Sequence, residues 1–120
     1  MTKYRYGATS SIEHNDAIVA LGSSISDAAQ LKRGFTAVGD ANGTKGVKLP
    51  HPLKTKPGDL VIIKGTTSGV LKVYPGSADT DAKINGLADG AAISLASGLI
   101  PVTFIADSAL QWYTLPLVAS

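Results

Sequence analysis

VYPG at 73–76, KING at 83–86 and VTFIADSALQWYTL at 102–115 set the character of the run from Leu71 to Leu115. Branched and aromatic residues alternate there with turn formers, which predicts short strands closing on an aromatic-rich terminal strand. The last two strands are expected at 99–106 and 109–115. Side chains alternate along a strand, so Phe104 and Trp112 should point inward across adjacent strands and Tyr113 outward. Phe104, Trp112, Tyr113 and Tyr74 are the candidates for core packing and self-association.

Upstream, Leu60-Val61-Ile62-Ile63 is continuously apolar, as expected of a strand buried on both faces. Gly65 to Gly69 reads as a five-residue loop joining it to Val70–Tyr74 in a hairpin. Turns are expected at Asn42-Gly43, which favours positive φ, and at Lys56-Pro57-Gly58-Asp59, where proline's fixed φ suits the second position. A strand over Val47–Leu49 should stop at Pro50 and Pro52. Residues 1–24 show no sustained period and read as an arm with one strand-like anchor at Ala17–Leu21. Ser24-x-x-Asp27 before Ala28 and Ala29 predicts a short helix to Lys32, ended by Gly34. The expected organisation is therefore an N-terminal arm with a short helix over 1–33 and a β-domain over 34–120. Its class is all-β, a compact sandwich or small barrel of jelly-roll or Greek-key type with about seven to nine short strands.

A chain of 120 residues suits one domain. Hydrophobic residues make up 44% and charged residues 17%, with 13 Gly and 6 Pro, so apolar surface is expected to be covered by a partner. The formal charge of +2 gives no basic field, which argues against nucleic acid as a partner. No cysteine is present, so thiol chemistry and disulfides are excluded. The start, MTKYRYG, lacks a signal-peptide core, and no run has the roughly eighteen apolar residues of a membrane span, so a soluble protein made in the cytoplasm is expected.

Residues with the makings of a reaction centre are sparse. His14 and His51 are the only imidazoles, one in the arm and one between two prolines, and they offer no evident dyad or metal pair. Asp79, Asp81 and Asn85 resemble the start of a calcium loop, but Ile84 and Gly90 stand where an EF-hand needs Gly and Glu. No glycine pattern matches a phosphate cradle. No catalytic residue, metal ligand set or cofactor is read, and the expected protein is not an enzyme. A small hydrolase, the enzymatic alternative, would have to work through His14 or His51. Partner contacts are the richer reading. Lys45, Lys48, His51, Lys54 and Lys56 form the densest basic run, suited to an acidic partner surface. Tyr4 and Tyr6, flanked by Lys3 and Arg5, would put two amphipathic rings on one side of an extended arm.

GVKLP at 46–50, PGDLVIIKGTTSGVLKVYP at 57–75, KINGLADGAAISLASG at 83–98 and FIADSALQWYTL at 104–115 occur in that order. Together they resemble a pattern of small virion proteins of tailed bacteriophages: a VxLP strand, a PGD-type turn, a VYP strand, an INGL segment and a terminal F…W strand. The resemblance covers residues 46–115. It implies a head decoration, or cement, protein on the outer capsid surface of the virion, self-associating as a homotrimer with the major capsid protein as partner. Lys3, Tyr4, Arg5, Tyr6, Lys45, Lys48, Lys54 and Lys56 would then face the capsid, and binding preferentially to the mature shell would stabilise it. The alternatives are a tail, baseplate or fibre-associated structural module, or a receptor-binding module using Tyr113 or Tyr74 as an exposed aromatic.

Overall fold

The computed structural model describes residues 12–76, 81–96, 99 and 101–115. Strands β1 (Ile18–Val19), β2 (Ala29–Gln30), β3 (Gly34–Gly39), β4 (Gly46–Lys48) and β5 (Leu60–Gly65) occupy the first half. They are followed by β6 (Leu71–Tyr74), β7 (Lys83–Ile84), β8 (Ile93–Leu95), β9 (Val102–Ser108) and β10 (Gln111–Leu115). The strands make two sheets, a six-stranded one in the order β1-β3-β5-β9-β10-β7 and a four-stranded one in the order β2-β4-β6-β8. The protein is an all-β sandwich, as the spacing of its strands and turns predicts.

The chain path is a winding. From β1 to β9 successive strands alternate between the two sheets, and only β9 and β10 are joined as a hairpin within one sheet. Returning to the same sheet after a full turn makes neighbours parallel: β1 with β3, β3 with β5, β2 with β4 and β4 with β6. Antiparallel pairing enters late, where β9 lies against β5 and β10 and where β8 lies against β6.

Period-2 alternation fills the space between the sheets. Val38, Val61, Ile63, Phe104 and Trp112 project from the larger sheet, and Val47, Leu71, Val73 and Ile93 from the smaller, each at 1% exposure or less. Burying a side chain of this size contributes about 1.5–3 kcal/mol. Phe104 and Trp112 thus stand where alternation puts them, and Tyr113 faces solvent. The two forecast turns form: Gly43 has φ 94° with Asn42 Oδ1 accepting from the Thr44 and Lys45 amides, and Gly58 has φ 89° with the Asp59 amide donating to the Lys56 carbonyl.

Four expectations are corrected. β5 and β6 are not a hairpin, because they lie in different sheets. The five residues between them span up to about 16–18 Å when extended, enough to cross the roughly 10 Å between packed sheets. The parallel winding likewise replaces the hairpin-linked order of a jelly roll or Greek key. The helix at 24–32 is absent: Ser24 to Asp27 form one turn, after which Ala28, Ala29 and Leu31 are buried and Ala29–Gln30 is strand. Residues 12–33 are accordingly no arm. Their strands β1 and β2 belong to the two sheets, and Ala20 and Leu31 lie in the core at 0% and 1% exposure. Residues 1–11 of that expected arm lie outside the described residues.

Candidate interaction surfaces

The strand registers set the outward residues of the larger sheet in two rows. Phe35 pairs with Ile62, Ile62 with Thr103 and Thr103 with Leu115, while Leu60 pairs with Ile105 and Ile105 with Tyr113. Phe35, Leu60, Ile62 and Ile105 are half-buried, and Tyr113 and Leu115 are 44% and 56% exposed. The His14 ring borders this face, with its centroid 5.4 Å from that of Phe35. β5, parallel to β3 and antiparallel to β9, is thus buried on its inner face and only half-buried on its outer one, not buried on both as its apolar run predicts. The outer side of the smaller sheet is different. Gln30 pairs there with Lys48, and Lys72 with Ser94, so it is polar.

Tyr74 does not supply an exposed aromatic. It is 9% exposed, and its hydroxyl donates to the Ser23 carbonyl at 3.3 Å. Burial raises its pKa, and the nearby Asp27 carboxylate adds to the effect. Asp27 itself is held below the ordinary carboxylate value, chiefly by the Ser24 amide, then by the Ser24 hydroxyl and the Ser23 amide. These bonds measure 2.9, 3.0 and 3.0 Å.

The basic run divides in space. Lys45 pairs with Asp40, and Lys48 lies half-buried on β4, with its carbonyl accepting from the Leu31 amide. Lys54 and Lys56 instead meet Lys32 and Arg33, which arrive from the exit of β2. The parallel pairing of β2 with β4 brings the two exits side by side. Between them lies a groove of about 440 Å³ lined by Gln30, Leu31, Lys32, Arg33, Pro50, His51, Lys54 and Lys56. His51 caps the 3-10 turn Pro52–Lys54, its Nδ1 accepting from the Leu53 amide at 3.0 Å. The Thr55 hydroxyl, donating to the His51 carbonyl at 3.1 Å, ties the turn down. Lys32 and Arg33 escaped the sequence reading because they fall in a different segment, and no local pattern pairs them with 51–56.

The remaining candidates are dispersed. Lys3, Tyr4, Arg5, Tyr6 and Asp79 lie outside the described residues. His14 lines a second groove with Asn15, Asp16 and Lys32, and His51 does not line it. Asp81 is exposed, and Asn85 is a structural clamp whose side-chain amide donates to Thr114 Oγ1 at 2.9 Å while its Oδ1 accepts from the Thr114 amide at 3.0 Å. Among the described residues no three His, Cys, Asp or Glu side chains are grouped to hold a metal ion, and no helix is long and apolar enough to cross a membrane. Neither a family model nor a curated protein matches the chain.

Proposed function

We propose that this chain is a non-enzymatic structural protein of a tailed-bacteriophage particle. In this reading it is a head decoration protein that self-associates as a homotrimer through the outer face of its six-stranded sheet. It sits on the outer capsid surface and bridges subunits of the major capsid protein. The observation that carries the self-association is the pair of largely apolar rows: Phe35, Ile62, Thr103 and Leu115 in one, Leu60, Ile105 and Tyr113 in the other. A contiguous apolar patch on a small domain marks a surface to be covered. The choice of particle rests on the resemblance of residues 46–115 to phage virion proteins. Many identical copies would let modest contacts add, and preference for the mature shell would stabilise it.

Light scattering on the purified protein, with co-sedimentation on undecorated expanded heads and on tails, tests the proposal. The expected result is a trimer that binds heads saturably, and an Ile62→Glu variant that is folded, monomeric and weakly bound. A monomeric wild type, or binding to tails alone, overturns it.

A further inference from the structure

We propose that the groove between the exits of β2 and β4 binds a carboxylate-rich segment of a partner polypeptide. The site is built from the end of β2 and the linkers beyond β2 and β4, not from the outward positions of the larger sheet, and does not depend on self-association.

Its charge is one-sided. Lys32, Arg33, Lys54 and Lys56 line the groove together, and among the described residues no carboxylate lines it. Elsewhere Lys45 pairs with Asp40 and Lys83 with Asp89, while Lys48, Lys64 and Lys72 do not line the groove. Lys32, Lys54 and Lys56 have no ion-pair partner among the described residues. Arg33 has only long contacts at the rim, 3.9 Å to Glu13 and 3.6 Å to Asp59, and its side chain is 55% exposed. A chain with a net charge of only +2 thus gathers four cations around one concavity. Like charges held together repel, and an anion between them offsets that repulsion. With Nδ1 of His51 accepting from the Leu53 amide, its Nε2 carries the ring proton and adds a donor to the same wall.

Shape and lining select the ligand. The volume falls within the roughly 300–1,000 Å³ of ordinary ligand clefts. The aliphatic stems of Lys32, Lys54 and Lys56 supply apolar contact beneath their charged heads, as an acidic peptide with a carbon backbone requires. Among the described residues no Phe, Tyr or Trp lines the groove, so it lacks the large stacking platform that single-stranded nucleic acid uses. Arg33 can grip a carboxylate with two parallel hydrogen bonds while the lysines act as point charges.

Fluorescence anisotropy with a labelled peptide of alternating Asp and Glu tests the site in the full chain, against labelled oligodeoxythymidine of matching length. The peptide is expected to bind in low salt and to weaken as salt screens the contacts. The Lys32→Glu/Lys54→Glu variant should lose about tenfold or more in affinity. The Lys72→Glu/Lys83→Glu variant, with the same change in net charge, should stay within about twofold of wild type, because neither lysine lines the groove. Equal losses in the two variants would reduce the effect to bulk charge and overturn the proposal. So would absence of peptide binding, or tighter binding of the oligonucleotide.

Discussion

Asp27 organises the loop from Gly22 to Asp27 by taking three hydrogen bonds from Ser23 and Ser24 on one oxygen. The Tyr74 hydroxyl bonds the carbonyl of Ser23 in that same loop, so the two ionisable groups act on one structure in opposite pH ranges. Asp27 has a lowered pKa in the folded chain, so its contribution is present above the ordinary carboxylate value and is lost as pH falls through the folded one. Tyr74 has a raised pKa, so the unfolded chain loses its phenolic proton first. Stability from that source is complete below about 10.0 and declines as pH rises towards the folded value. Urea midpoints measured against pH should show both limbs. Asp27→Asn, which keeps an acceptor but cannot titrate, should flatten the acid limb, and Tyr74→Phe the alkaline one. The sequence signalled half of this loop. Ser24-x-x-Asp27 does form the reciprocal bond of a capping box, and the Ala28 amide donates to the Ser24 carbonyl at 3.1 Å. One turn is a costly nucleus without propagation, and burial of Ala28, Ala29 and Leu31 in extended backbone decides the outcome.

Strands were legible in the sequence and their partners were not. β5, β6, β9 and β10 fall where branched and aromatic residues cluster, and the turns at Asn42-Gly43 and Lys56 to Asp59 carry their own chemistry. The linker from Gly65 to Gly69 carries no mark distinguishing a hairpin from a sheet crossing, because either takes a short polar loop of that length. What distinguishes them is a contact with distant chain. Gly69 packs so closely on Ala41 that an added Cβ would overlap its carbonyl oxygen and lie 2.7 Å from its carbonyl carbon. A hairpin loop in solvent would accept alanine here, whereas a crossing pressed against the β3–β4 connection cannot. Gly69→Ala is expected to cost on the order of 2 kcal/mol, read as a lower denaturant midpoint with an unchanged slope. The candidate groove was half-legible for the same reason. His51, Lys54 and Lys56 stand together in the sequence, while Lys32 and Arg33 reach them only through the pairing of β2 with β4.

At the scale of the whole molecule, winding between sheets makes every part of the chain depend on distant parts. β5 is held by β3 before it and β9 after it, and β4 by β2 and β6, so neither sheet is complete until both halves of the chain are present. The N-terminal strands illustrate this most sharply, since residues 12–33 contribute Ala20, Ala29 and Leu31 to the common core. A chain beginning at Gly34 would lose the edge partners of β3 and β4 and leave Val38, Val47 and Leu49 facing water. Several large side chains would lose part of their burial at once, each worth about 1.5–3 kcal/mol when complete. That sum rivals the roughly 5–15 kcal/mol that separates a small domain from its unfolded state. The truncated chain should therefore show no cooperative thermal transition and little amide dispersion by NMR. The single tryptophan of the chain, Trp112, should emit as a solvent-exposed indole in the truncated form and as a buried one in the intact protein. A truncated chain that melts cooperatively with buried Trp112 would show that residues 34–120 carry the core unaided, and β1 and β2 would then be trim on a finished sandwich.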